Sequence, residues 1–230
     1  MLPDPAFYIV CKESKYGLYY YDGSIILKVE WDSIELLGDD YLLVRKGNKY
    51  GVRARNGAII LKTEWDSIEL FEDDYFAVWK GAKCGVRASD GSIVLNTEWS
   101  QICDGDPFLV YNGQDKVGLR AKDGSVVLPA KWWDINILDD YYLVYSAPFK
   151  CGIITTDGTF LLKVEWERIV QEEDCFLVRK NDKWGAISFN GDTILETEWD
   201  RIDDLDDYLG AYKNAKFYTF FKDGRLRSSP

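Results

Sequence analysis

No histidine occurs anywhere in the 230 residues. That removes the commonest general base, and with it the Ser-His-Asp and Cys-His-Asn mechanisms. The five cysteines, Cys11, Cys84, Cys103, Cys151 and Cys175, show no Cys-x-x-Cys spacing, and an odd number cannot pair completely within one chain. They read as free thiols, and neither a metal site nor a cofactor is expected from them. No apolar run of about 18 residues is present, so no membrane-spanning helix is expected. The amino-terminal Met1-Leu2-Pro3-Asp4-Pro5 lacks the basic start and apolar stretch of a secretory signal, which makes the cytoplasm the expected compartment. Helical spacing of apolar residues over a dozen positions is missing too, and so is the Gly-x-x-x-x-Gly-Lys-(Ser/Thr) phosphate cradle.

What the chain does contain is a repeat. The pattern Glu-Trp-(Asp/Glu)-x-Ile returns with its tryptophan at Trp31, Trp65, Trp99, Trp132, Trp166 and Trp199, at spacings of 33 or 34. A fixed period in this range marks stacked or ring-like arrays of one supersecondary unit. A Lys-x-Gly opens each unit (Lys15 and Gly17, Lys49 and Gly51, Lys83 and Gly85, Lys116 and Gly118, Lys150 and Gly152, Lys183 and Gly185). A second glycine follows six residues later, usually after Asp or Asn. Asp-Gly and Asn-Gly supply the positive φ angles of hairpin turns. Apolar triplets such as Ile25-Ile26-Leu27 come next. After each tryptophan motif, an acidic turn such as Asp39-Asp40, Asp73-Asp74, Asp139-Asp140 or Asp206-Asp207 leads into another apolar run.

Each unit therefore reads as four short strands, for example Trp65 to Leu70, Tyr75 to Lys80, Lys83 to Ala88 and Ser92 to Leu95. The fold class is all-β. Strands such as Tyr75-Phe76-Ala77-Val78-Trp79 are apolar on both faces and require cover on both sides. One repeat domain over residues 1–230 is expected, with six full units over about 15–215 and partial units at both ends. Met1 to Pro5 and Arg225 to Pro230 are expected to be poorly ordered. The chain begins on what matches a second strand, so the preferred assembly is a propeller-like ring. It would have either six blades with a surplus hairpin or seven with one blade a strand short. The alternative is an open β-solenoid of stacked hairpins.

The Lys183-Trp184-Gly185 motif, with the turn and apolar triplet that follow it, resembles the WG (KWG) repeat of bacterial proteins. The resemblance runs from Lys15 to about Ala215, although the position before glycine holds Tyr16, Tyr50, Cys84, Val117 and Cys151 in the other copies. It implies a β-rich repeat scaffold and brings no catalytic residues with it. The paired carboxylates recur in nearly every unit, as turn and strand-edge charges do and a singular catalytic pair does not, so no enzyme is expected.

Function must then be read where repeats differ. One slot of the second strand holds Cys11, Arg45, Trp79, Tyr111, Tyr145, Arg179 and Tyr212, and one slot of the third holds Tyr19, Arg53, Arg87, Arg120, Ile154 and Ile187. The overlap of Trp79, Tyr111 and Tyr145 with Arg53, Arg87 and Arg120 has the composition of an interface hot spot on units two to four. Alternatively the rings pack between blades, and each arginine pairs with a nearby acid such as Glu64 or Glu98. Unit four is the least regular, with Lys131-Trp132-Trp133 in place of Glu-Trp-Asp and the loop Ser146-Ala147-Pro148-Phe149 in place of a tight turn. Trp133 joins the candidate contact set. The formal charge of −11 disfavours nucleic acid and anionic membranes and attracts basic partners. The expected function is thus a non-enzymatic scaffold that binds a basic protein, as an accessory subunit or an inhibitor. Nine tryptophans and fifteen tyrosines motivate the alternative, a carbohydrate-binding repeat protein.

Overall fold

The computed structural model describes residues 7–72, 75–205 and 207–229. Among them, twenty-seven strands form seven antiparallel sheets, and the strands of each sheet lie side by side in chain order. The first sheet has three strands (Phe7–Lys12, Lys15–Tyr20 and Ile25–Trp31), and the other six have four. In the third sheet these are Ser67–Leu70, Phe76–Lys80, Lys83–Arg87 and Ile93–Trp99. This is the four-stranded meander of a propeller blade, and of the two expected counts it is seven sheets with one a strand short. No helix among the described residues is long and apolar enough to cross a membrane.

Two boundaries differ from the sequence reading. The motif tryptophan ends a fourth strand and does not begin a first: Trp65 closes Ile59–Trp65, Asp66 turns the chain, and Ser67 opens the next sheet. The tail expected to be poorly ordered contains a strand, Leu226–Ser228, paired with Lys216–Phe221. Met1 to Pro5, Asp73, Asp74, Asp206 and Pro230 lie outside the described residues.

The chain splits into two compact units, Met1–Gln114 with Leu119–Val126, and Asp115–Gly118 with Val127–Pro230. Sheets one to three fall in the first unit and sheets five to seven in the second. Within each, the core lies between consecutive sheets. In the first unit, Val52, Leu61 and Trp65 of the second sheet bury against Ile68, Phe76 and Val78 of the third. In the second unit, Cys151, Ile153 and Leu162 pack on Ile169, Phe176 and Val178. Every such side chain contributes about 1.5–3 kcal/mol by leaving water, and the two-sided apolar strands thereby obtain the cover they require.

The glycine of Lys-x-Gly is explained by a bulge. Cys84 pairs with Trp99 and Val86 with Leu95, so the fourth strand carries two extra residues opposite Gly85. A Cβ on Gly85 would stand 2.7 Å from the Leu95 carbonyl oxygen.

Acids on either side of the tryptophan tie one sheet to the next. The preceding glutamate reaches a second-strand lysine of the following sheet, as in Glu30 with Lys46 at 3.1 Å and Glu198 with Lys213 at 2.7 Å. The following acid accepts a backbone N–H from the turn between the next sheet's second and third strands. Gly47 donates to Asp32 at 2.6 Å, Gly81 to Asp66 at 2.7 Å, Asn181 to Glu167 at 2.8 Å and Asn214 to Asp200 at 2.8 Å. Asp32, Asp66 and Asp200 also accept from Lys15, Lys49 and Lys183 of the sheet before.

The lysine bond first, and the turn N–H second, hold the Asp32, Asp66 and Asp200 carboxyls below their ordinary value of 3.8. A carboxyl with a lowered folded-state pKa contributes stability above its unfolded value, and the contribution fades as pH falls through the folded value. Denaturant titrations from neutrality to about pH 3 should therefore show a shallower acid-side loss of stability in Asp66→Asn than in the unaltered chain. Identical slopes would mean that this clasp contributes nothing.

Candidate functional site

The junction between the fourth and fifth sheets departs from this scheme at both acids. Lys131 and Trp133 stand where the other junctions carry a glutamate and, except for Ser100, a carboxylate. Lys131 lies over the Trp132 ring at 4.9 Å. The change at Trp133 has a partner in the turn it would have clasped. In the fifth sheet (Asp134–Ile137, Tyr141–Ala147, Lys150–Thr155 and Phe160–Trp166), Ala147 pairs with Lys150 around a two-residue loop, Pro148-Phe149. Pro148 occupies the place of Gly47 and Gly81, and proline has no N–H to give. A carboxylate at position 133 would find no donor there.

Proline also changes the turn. The hairpins at Asn181-Asp182 and Asn214-Ala215 hold both loop residues at positive φ. Pro148 is fixed near −65°, so only Phe149 is left-handed, at 56°, the arrangement of a type II turn in which glycine is usual. A bulky side chain in that conformation costs about 1–2 kcal/mol. Phe149 nevertheless keeps 80% of its surface exposed.

Trp133, Tyr145, Pro148 and Phe149 line one side of a cleft of about 400 Å³, completed from the sixth sheet by Glu167, Arg168 and Arg179. The Trp133 and Tyr145 rings meet edge to face with centroids 6.4 Å apart, and the Trp133 backbone N–H donates to the Tyr145 backbone carbonyl at 2.7 Å. Burial, then the neighbouring Cys151 and Asp134, pushes the Tyr145 phenol pKa upward. Arg179 contacts Asp182 at 2.5 Å and approaches Glu167 at 4.0 Å. Arg168 is exposed, with its guanidinium 6.0 Å from the Trp184 ring.

Of the seven sequence-predicted contact residues, the cleft brings together Trp133 and Tyr145. Trp79, Tyr111, Arg53, Arg87 and Arg120 lie in the first unit. There the alternative reading of the arginines is nearer to what is found, though carbonyl oxygens and rings are the partners. Arg53 and Arg87 are buried, which removes them from an accessible surface. Arg87 donates to the Val86 and Leu95 carbonyls at 3.0 and 2.9 Å, and Arg53 repeats this on Val52 and Leu61. Each guanidinium lies over the preceding unit's tryptophan: Arg53 over Trp31 at 5.1 Å, Arg87 over Trp65 at 5.0 Å and Arg120 over Trp99 at 4.8 Å. Desolvation lowers all three pKa values, offset in part by Glu30, Glu64 and Glu98. A wider groove of about 560 Å³ follows Trp65 and Arg87, and there Lys80 and Arg87 are occupied by Glu64 and by backbone carbonyls. Trp79 and Tyr111 are half-buried on their second strands, opposite Ser67 and Gln101.

Sequence reasoning named Phe149 within an irregular loop without placing it in the contact set, and it left out Glu167, Arg168 and Arg179. Arg179 was legible as the occupant of the Tyr145 slot; Arg168 needed the cross-strand register.

The shared register, the Lys-x-Gly glycine at the bulge and the inter-sheet tryptophan are the features of one repeated unit. A family model described as "WG containing repeat" matches residues 16–50. Residues 16–50 carry a WG repeat. Curated proteins offer no match to the sequence. Among solved structures the chain is similar to BamB from Moraxella catarrhalis, at 11% identity over 99% of this chain and 85% of that one, TM-score 0.32. It is similar to Hsv2p of Kluyveromyces lactis at 12% identity, over 95% and 91%, TM-score 0.32. The WD40 β-propeller domain of Doa1 matches at 11% identity, over 86% and 81%, TM-score 0.28. At these scores the likenesses carry no functional inference.

Two substitutions separate packing from surface roles. Arg87→Ala removes a stacked cation and two carbonyl bonds and should lower unfolding free energy by about 1–3 kcal/mol. Phe149→Gly removes an exposed ring and relieves the left-handed backbone, and should raise it by roughly 1 kcal/mol. Urea denaturation checks both; destabilisation by Phe149→Gly would mean that the ring packs.

Proposed function

We propose that this WG-repeat chain is a non-enzymatic protein-interaction scaffold of the cytoplasm, which takes a basic protein partner and anchors it in the Trp133 cleft. The observation that carries the reading is the substitution of an exposed aromatic for the clasping acid at one junction, matched by Pro148 and by an exposed Phe149 in a costly backbone conformation. Strain retained at an exposed position points to a role outside folding. Aromatic and guanidinium groups around a small pocket are the residue types that dominate contact energies. Blades of this kind are usually binding platforms, and burial pushes the Cys151 and Cys175 thiols up to about 11, so neither is a nucleophile at neutral pH.

The charge of −11 sets the approach. Exposed carboxylates such as Asp39, Asp40, Asp106, Asp139 and Asp140 occupy turns between first and second strands, at the end of each sheet opposite the turn between its own second and third strands. Their field draws in a basic protein over distance, while the cleft fixes the contact. The three rings beside arginine and glutamate also suit a sugar, which is the second reading.

Affinity capture from the native cell, with the unaltered chain and with Trp133→Asp and Phe149→Gly as baits, tests the proposal. The partner should be recovered at one per chain with the first bait and lost with both variants, while Trp79→Ala retains it. Equal recovery with all baits would defeat the cleft as the anchor, and a glycan array with no binding would discard the sugar reading.

A further inference from the structure

The charges at the cleft indicate what enters it. The first residue of each first strand faces a residue of the second strand across the ladder. The pairs are Ser33 with Arg45, Ser67 with Trp79, Gln101 with Tyr111, Asp134 with Tyr145, Arg168 with Arg179 and Arg201 with Tyr212. Of these first-strand pairs among the described residues, only Arg168 with Arg179 in the sixth sheet sets two cations directly opposite each other, an arrangement that disfavours folding. The nearby acids compensate one of them. Glu167 is engaged by the N–H groups of Asn181 and Asp182, and approaches Arg179 at 4.0 Å. Asp182 holds Arg179 at 2.5 Å. Arg168 has no carboxylate partner among the described residues. In the seventh sheet the same position is neutralised within its own strand, for Arg201 donates to Asp203 at 2.6 Å.

We propose that the cleft receives a short apolar segment bearing a carboxylate, presented by the protein partner, with its apolar side chain on Trp133 and Phe149 and its carboxylate on Arg168. The inference rests on the scaffold reading above. Three features select this occupant. Trp133 is 48% and Phe149 80% exposed, which leaves apolar area for a side chain to cover. A volume of about 400 Å³ admits one or two side chains and no folded element. The unpaired guanidinium is a planar fork suited to a carboxylate, and beside Arg179 it repels a lysine or arginine. A basic partner is thus drawn in by the acidic turns and held through an acidic, apolar segment of its own.

Fluorescence anisotropy of the full chain with three labelled, amidated heptapeptides tests this. One alternates leucine with aspartate, the second leucine with asparagine, the third leucine with lysine. The aspartate peptide should bind at least about tenfold more tightly than the asparagine one, and the lysine peptide should not bind. Arg168→Glu should weaken the aspartate peptide by about tenfold or more and admit the lysine peptide. Phe149→Gly should weaken the aspartate and asparagine peptides alike, and Arg201→Glu should leave all values unchanged. Circular dichroism establishes that each variant is folded. Absence of peptide binding, equal affinity for all three peptides, or indifference to Arg168→Glu overturns the inference. So does binding of a neutral oligosaccharide panel in place of the peptides. Loss of partner capture in Trp133→Asp together with no charge preference among peptides would leave the scaffold reading standing and remove this one.

Discussion

Each sheet of this chain has two apolar faces and cannot bury either by itself. Everything else follows from the need to bring the next sheet alongside at a fixed offset. The segment that does so is the tryptophan motif, which ends one sheet and opens the next within three residues. The indole enters the gap between sheets, where Trp31, Trp65, Trp99, Trp132 and Trp199 are all less than a tenth exposed. Its flanking acids face the solvent side of the same gap and hold the neighbouring turn. A residue type that tolerates cations on its ring face is well chosen for that place, because the second and third strands of the next sheet deliver lysine and arginine there. The indole N–H is not what is used: in Trp31, Trp65, Trp99 and Trp132 it is buried with no acceptor among the described residues.

This division of labour explains why one junction can change. The apolar half of the motif is retained at Trp132, which is buried with its ring 6.3 Å from that of Phe160. The polar half is altered on both sides of the gap, with Trp133 for the acid and Pro148 for its donor. Either change alone leaves a mismatch, a carboxylate without a donor or a turn N–H without its acceptor. Together they leave an open, ring-lined slot. The replaced clasp lay at a partly exposed position, where ion pairs contribute little, so its loss is tolerable for folding.

The repeat, the strand-turn pattern, the β class and the special status of residues 131–133 and 146–149 were legible because period and turn chemistry are written locally in Gly, Asn, Asp and Pro. The orientation of the arginine slot was not. Alternation along a third strand tells which residues share a face, but both faces of these sheets are covered, so a shared face does not separate contact from solvent. A clue did exist, since the slot exchanges Arg53, Arg87 and Arg120 for Ile154 and Ile187. A position that accepts isoleucine in two copies is one where the chain is covered. The guanidinium is admitted there because two carbonyls freed at the bulge, such as Val86 and Leu95, take its protons and a ring takes its face. The Arg168 and Arg179 pair stayed hidden for a different reason: they are eleven residues apart in sequence and become neighbours only through hairpin register.

A site in a repeat array must be singular to be specific, and singularity here has a structural origin. In the wider groove at Trp65 and Arg87, Lys80 is engaged by Glu64 and Arg87 by two backbone carbonyls, and a ligand there would compete with these bonds. At the fifth and sixth sheets the obligations run the other way. Phe149 is held in a conformation that folding disfavours, and Arg168 faces a like charge. Both are relieved, or made worthwhile, only by something that covers a ring and neutralises a cation. The cleft differs from the rest of the array in electrostatic and steric incompleteness more than in shape, and a second molecule can supply what is missing without displacing any bond the scaffold depends on.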